Sequence, residues 1–350
     1  MELGISSFGE INPDQVAGGA KNAHQRVQQL LEEIKLADEV GLDVFALGEH
    51  HRPDFVVSAP EVILSAAATI TKNIKLSSSV TVLSSADPVR VFQNFASLDL
   101  VSNGRAEIMA GRGSFIESFP LFGYNLNDYD ELFSEKLELL LELNKSEKVN
   151  WEGNFRAPIH NLGVYPRPIQ ASLPIWLAVG GTPGSAGRAG ALNIPMTVAI
   201  IGGTPDRFVP FVNIFRQAAA KAGHDVSKLA LAINSHFYTA DTPQLAIDEF
   251  FPPYELIMNR VGQERGWSPI GRDYVEFMQK SGPLLVGSPQ QIIDKIMRFY
   301  ELFQQTRYLA QLIGGHLIPH KKILRSIELF GTQVAPVIRK EMASRQPISS

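Results

Sequence analysis

A (β/α)8 barrel is the fold this sequence predicts, on three observations. Short apolar runs alternate strictly with amphipathic stretches along the 350 residues, and there are eight such runs. Each run is rich in Val, Ile, Leu and Ala with little polar alternation, as strands covered on both faces require. Alternation implies right-handed βαβ crossovers and a parallel sheet, and eight units favour a closed TIM barrel over an open doubly wound sheet. The length suits one such domain over residues 1–350, carrying an insertion.

The first run, "LGISSF" (3–8), leads into residues 24–41, where Val27, Leu30, Leu31, Ile34 and Ala37 recur at helical spacing until Gly41 stops them. The second, "DVFALG" (43–48), precedes a helix over 60–71. The third, "IKLSSSVTVL" (74–83), precedes a helix over 87–102, with Asp87 suited to the N-cap and Pro88 to the first helical position. The fourth, "RAEIMAGRG" (105–113), precedes a helix over 130–143. After a polar excursion (144–173) come "PIWLAVGG" (174–181) with a helix over 182–193, and "PMTVAII" (195–201) with a helix over 204–223. The seventh run, "LALAINSHFYTA" (229–240), is followed by residues 241–286, a mostly helical segment with Pro and Gly breaks that mixes in charge and is longer than a βα connection needs. This is the expected insertion near the C-terminal mouth. A helix over 288–303 opens on the capping set Ser288, Pro289 and Gln291, and "RYLAQLIGG" (307–315) with a helix over 319–342 completes the pattern.

Composition then narrows the function. The chain is 45% hydrophobic, 19% charged and carries a net charge of −4, so it has no basic footprint for nucleic acid. The absence of cysteine removes disulfides, thiolate nucleophiles, Cys-ligated zinc and iron–sulfur clusters. No stretch reaches the ~18 apolar residues of a membrane span, and no charged segment precedes an apolar one at the start, so the expectation is a cytoplasmic protein with no membrane partner.

Barrel sites lie at the C-terminal ends of the strands. That places the chemistry near Phe8, Glu49-His50-His51, Ser79-Val80, Gly111-Arg112-Gly113, Val179-Gly180-Gly181, His236 and Gly314-Gly315-His316. For "FALGEHHRPDF" (45–55) three readings stay open: metal ligands, a catalytic acid/base, or a solvated loop. A strand continuing through it would point Glu49 and His51 one way and His50 the other. Neither H-E-x-x-H nor H-x-H at the end of the first strand is present, so no metal is expected. In "WLAVGGTPGSAGRAG" a strand runs into two glycines, then Thr182 and Pro183 as N-cap and first helical residue, then Gly184 and Ser185. Free N–H groups at that helix start suit a mononucleotide phosphate, although close helix–strand packing would explain the same glycines. Dinucleotide and Walker fingerprints are both absent. Arg112, flanked by glycines, suits either bidentate phosphate contact or a salt bridge at the rim.

"GLDVFALGEHHRPDF", "VTVLSSADPVRVFQNFASLDLVSNGRAEIMAGRG", "LPIWLAVGGTPGSAGRAGALNIP" and "GPLLVGSPQQIIDKI", in this order over most of the chain, resemble the bacterial luciferase-like family of flavin-dependent monooxygenases. The resemblance implies FMN at the strands' C-terminal ends, reduced by NAD(P)H through a separate flavin reductase, and oxygen activated for attack on a small organic substrate. Glu49 and His50 match the family's strand-2 pair, with His50 as catalytic acid/base near its ordinary pKa of about 6.5, Glu49 orienting it or shaping the pocket, and His51 a loop residue. Ser79 and Val80 match a non-prolyl cis peptide against the isoalloxazine, and Arg112, Gly180, Gly181, Thr182 and Ser185 match the flavin phosphate site. Light-emitting members carry cysteine where Gly111 stands and a Glu-Ser pair near the glycines at 180, so the resemblance points to the non-luminescent branch. On the same scaffold the alternatives are a deazaflavin-dependent hydride-transfer oxidoreductase and a non-catalytic flavin-binding partner subunit; a metal-dependent hydrolase is the reading from another class. The family implies a homodimer. Phe8, Phe55, Val56 and Trp176 are candidates for an apolar substrate cavity, and 241–286 for a cover that excludes water from reduced flavin.

Overall fold

Eight apolar runs give eight parallel staves in the computed structural model, which describes residues 1–11, 20–113, 115–314 and 317–345. Its strands are β1 (Glu2–Ser7), β2 (Val44–Leu47), β3 (Lys75–Ser78), β4 (Thr81–Val82), β5 (Ala106–Gly111), β6 (Lys148–Trp151), β7 (Ile159–Gly163), β8 (Ile175–Val179), β9 (Met196–Ala199), β10 (Leu231–Thr239), β11 (Leu285–Gly287) and β12 (Arg307–Leu312). The helices are α1 (Ala20–Glu39), α2 (Pro60–Ala68), α3 (Pro88–Ser102), α4 (Ser118–Leu121), α5 (Tyr129–Lys145), α6 (Pro183–Ala191), α7 (Val209–Lys221), α8 (Pro243–Arg265), α9 (Arg272–Lys280), α10 (Pro289–Phe303), α11 (His320–Leu329) and α12 (Ala335–Arg345). β1 pairs in parallel with β2 and β12, and β10 with β9 and β12, so the sheet closes on itself. β11 adds a short parallel strand to the exit of β10.

Side-chain alternation divides the core in two. Phe45, Leu47, Ile108 and Leu177 join the large cluster beneath the helices, whereas Val44, Met109, Trp176, Ala232 and Leu309 form a separate inner cluster. Glycine stands at position 4 because an added Cβ would lie 2.3 Å from the Val44 side chain. At the strands' N-terminal ends the buried Arg307 guanidinium bonds both oxygens of Glu107 at 2.7 and 3.0 Å and Glu2 at 2.7 Å, and lies 4.2 Å over the Trp176 ring. That end of the barrel is filled. Room for a ligand is left at the other.

Helix starts follow the sequence closely. Asp87 accepts from the Val89 and Arg90 N–H groups at 2.9 and 3.1 Å, and the Gln291 side chain accepts from the Ser288 N–H at 3.1 Å. Two expectations change. The third run is not one strand over 74–83: the Ser79–Val80 peptide is cis and divides it into β3 and β4. The polar excursion 144–173 contains the antiparallel hairpin β6–β7. Residues 241–286 are mostly helical, as expected: they form α8 and α9 and lead into β11, with Pro252 and Pro253 inside α8. The end of α8 reaches the mouth, where Glu264 accepts from Arg52 at 2.6 and 2.9 Å. Gly315 and His316, expected beyond the last stave, lie outside the described residues. No helix of the described residues is long and apolar enough to cross a membrane.

Candidate active site

A cavity of about 560 Å³ opens at the C-terminal ends of the staves. It is lined by Glu49 and His50 from the exit of β2, by Ser79 and Val80 between β3 and β4, by Arg112 after β5, and by Gly180, Thr182 and Ser185 between β8 and α6. Gly181 does not line it; its φ of +111° turns the chain from β8 towards α6, a conformation that favours glycine.

At one end of the cavity Arg112 faces the start of α6. Arg112 donates to Asp130, the expected salt bridge at the rim, and also to the Ser185 hydroxyl at the start of α6. Thr182 occupies the N-cap position of α6 and its carbonyl accepts from the Ser185 N–H at 3.1 Å, but its hydroxyl makes no capping bond. A Cβ added at Gly180 or Gly184 would meet no atom within 4 Å, so the glycines border an open cradle rather than a packed contact. The buried Thr197 hydroxyl also lines the cavity and has no hydrogen-bond partner among the described residues. These features fit a phosphate-bearing cofactor, and the volume suits a mononucleotide.

The other end is an apolar shelf. A Cβ at Gly111 would lie 2.7 Å from the Val80 side chain, so the bare glycine is what lets Val80 lie against β5. Glu49 grips the same segment twice: its N–H donates to the Val80 carbonyl at 3.1 Å, and its carboxylate accepts from the Val82 N–H at 2.7 Å. The second carboxylate oxygen is 2.8 Å from His51 Nε2. Glu49 and His51 therefore share a side, as alternation required. Yet Glu49 bonds His51 and Val82 instead of orienting His50, and His51, on the loop after β2 as expected, has its side chain largely buried against Glu49.

His50 packs between Phe55 and Phe8, with ring centroids 4.2 and 4.4 Å away. Its Nδ1 lies 3.3 Å from the Gly48 carbonyl, which can only accept, so Nδ1 carries the proton and Nε2 is the bare nitrogen. Burial among aromatic rings pushes its pKa down from the ordinary value of 6.5 to about 4, leaving a neutral imidazole at pH 7.

Sequence reading missed a second chamber of about 220 Å³, which meets the first at Phe8, Ile201 and His236. Phe55 lines it, as anticipated for the apolar cavity, but Val56 and Trp176 do not: Val56 packs on the main core and Trp176 belongs to the inner cluster. Glu10 also borders this chamber, buried and with no hydrogen-bond partner for either oxygen among the described residues, and burial pushes its pKa up to about 7 against weaker downward pulls from nearby amides and Arg26. Its only sequence signal was an acid two residues beyond the first strand run. Among the described residues no group of three His, Cys, Asp or Glu is placed to hold a metal ion.

Comparison with known proteins agrees with this geometry. F420-dependent glucose-6-phosphate dehydrogenase of Amycolatopsis mediterranei is 30% identical over 211 residues, covering 57% of this chain and 63% of its own. The oxygenase component of the flavin-dependent trigonelline monooxygenase of Acinetobacter baylyi is 23% identical over 351 residues, covering 92% of each chain. The oxygenating constituent of 3,6-diketocamphane monooxygenase from Pseudomonas putida, solved with FMN, superposes with a TM-score of 0.79 at 23% identity, covering 97% of this chain and 99% of that one. The model of the luciferase-like monooxygenase family matches residues 1–306, and the chain belongs to that family.

Proposed function

We propose that this protein is an FMN-dependent monooxygenase in which substrate, O2 and reduced FMN give oxygenated substrate, water and oxidised FMN. One observation carries the reading: a single cavity joins an anion cradle at Arg112, Ser185 and the start of α6 to the Val80 shelf and a neutral His50. Bound reduced flavin supplies the electrons that activate oxygen. The protein's residues do the rest. Arg112, Ser185 and the first N–H groups of α6 hold the phosphate, with Gly180, Gly181 and Thr182 shaping the turn that presents them. Val80, lying against Gly111 and pinned by Glu49, supports the ring system beside Ser79. His50 accepts and returns a proton at Nε2, and a developing negative charge nearby raises its readiness to hold one.

In this reading α8 and α9 act as a cover excluding water from the reduced cofactor, as part of a single barrel domain. NAD(P)H reaches the flavin through a separate reductase, as the component name of the Acinetobacter relative suggests. The working form is a cytoplasmic homodimer. The hydride-transfer alternative draws support from the F420-dependent relative and would use the same cradle. An anaerobic titration with FMN in both oxidation states separates them. FMN should bind, and Arg112→Ala should weaken it roughly 10- to 100-fold. Absence of binding at millimolar FMN, or preference for the deazaflavin coenzyme, overturns the FMN reading.

A further inference from the structure

The two histidines at the site are held in opposite tautomers. His236, at the exit of β10, borders both chambers where they meet and is 4% exposed. Its Nδ1 is 3.2 Å from the hydroxyl of Tyr254 on α8. Tyr254 is 2% exposed, and this is the one hydrogen bond its hydroxyl makes among the described residues. If the phenol accepted from Nδ1, its own proton would be buried without a partner, at a cost of about 1–3 kcal/mol. Tyr254 therefore donates to Nδ1 and the imidazole proton sits on Nε2. Burial pushes the pKa of His236 down to about 4, so the ring is a fixed neutral N–H donor at pH 7, where His50 offers a bare Nε2.

The chamber on the far side of His236 is walled mainly by apolar side chains, among them Phe55, Phe115, Ile257, Val261 and Trp267. Arg260 lines it from an exposed position at the rim, and its remaining polar groups are engaged or buried. Asp54 accepts from Arg52 at 3.2 Å, the Arg265 guanidinium lies over Phe115 and Trp267, and the carboxylate oxygens of Glu10 are buried.

We propose that His236, set by Tyr254, is the substrate-binding donor of this protein: its Nε2–H holds a carbonyl-type acceptor oxygen on an otherwise apolar molecule whose body fills the second chamber. That places the oxygen-bearing end of the molecule at the opening to the larger cavity. Identifying the larger cavity as the flavin site rests on the FMN reading; the hydrogen bond does not. Tyr254 is a positioning residue, acting through His236.

The test uses the full chain with oxidised FMN and a matched pair of probes, cyclohexanone labelled with carbon-13 at the carbonyl, and cyclohexane. Infrared difference spectra of the bound ketone should show its C=O stretch lowered relative to the ketone in cyclohexane solution. His236→Phe should abolish that shift and weaken ketone binding about tenfold while leaving cyclohexane binding within about twofold. His236→Gln, which keeps a donor, should restore a shifted band, and Tyr254→Phe should broaden or diminish it because the tautomer is no longer fixed. An unshifted band in the parent protein, no ketone binding, or a shift that survives His236→Phe overturns the proposal. FMN affinity is read on the same samples. Failure of FMN to bind the parent protein, with the ketone shift intact, overturns the flavin reading alone.

Discussion

The two ends of the barrel use the same residue types to opposite effect. At the N-terminal ends of the staves, Arg307, Glu107, Glu2 and Lys75 close a network in which the Arg307–Glu107 pair, though buried, has its hydrogen bonds made. At the C-terminal ends, among the described residues, the buried Glu10 carboxylate and the Thr197 hydroxyl have no hydrogen-bond partner, and His50 and His236 are kept neutral by burial. A finished network has nothing left to offer a ligand. Unsatisfied buried groups cost stability. Gln305 Oε1, just before β12, is one more such group among the described residues, so the contrast lies between the Arg307 network and the cavity rather than between every group of the two ends.

The largest effect should come from unmaking the finished end. Glu107→Gln leaves the Arg307 charge buried with only the half-exposed Glu2 and Lys75 around it, and removal of one member of a buried pair typically costs about 3–5 kcal/mol. Thermal unfolding should shift down by roughly 5 °C or more, while FMN affinity at 20 °C stays within about twofold. The double replacement Glu107→Leu with Arg307→Leu should be less damaging than either single change, because it removes both charges together. If Glu107→Gln weakened FMN binding as strongly as Arg112→Ala, the division between the ends would fail.

This division also marks what the sequence could convey. The staves were legible because both faces are covered, which leaves continuous apolar runs, and α3 and α10 were legible because Asp87 and Gln291 announce their starts. The cradle could be read from "GGTPGS", since glycines at a helix start are a local signal. His236 could be placed at a strand exit, but its tautomer depends on Tyr254, eighteen residues away and on another element. The Glu49–His51 pairing needed the β4 backbone as well as the strand parity. Glu10 gave no usable signal: what singles it out is the absence of a partner, and absence is a property of the folded environment.

Glu10 supplies the next test. Its carboxyl titrates at about 7 in the folded protein and near 4.5 when unfolded, so over that interval the native state binds more protons than the unfolded one. Stability should therefore fall as pH rises from about 4.5 through 7, by on the order of 3 kcal/mol once the carboxylate is charged. Glu10→Gln removes this cost and leaves the Arg26–Glu33 pair, bonded at 2.7 Å, in place. The variant should unfold several degrees above the parent protein at pH 8 and within about a degree of it at pH 5. Equal melting temperatures at pH 8 would mean that Glu10 is satisfied in the folded state and would remove it from the contrast.

His50 reverses the sign and gives a smaller effect. Its folded pKa is about 4 and an unfolded histidine titrates near 6.5, so between these values the unfolded chain takes up the proton that the native site refuses. Stability contributed by the neutral ring is complete above pH 6.5 and declines as pH falls, reaching about 2 kcal/mol lost at pH 5. His50→Phe preserves an aromatic ring against Phe8 and Phe55 but cannot titrate, so its melting temperature should drop less than that of the parent protein between pH 7 and pH 5. His236 is buried in the same way and contributes its own share, so acid sensitivity should be reduced rather than abolished by the single change. A parent and variant with parallel acid profiles would show that the native protein binds a proton at His50 as readily as water-exposed imidazole does. His50 would then titrate near neutrality, and its ring would carry a proton part of the time at pH 7 rather than present only a bare nitrogen.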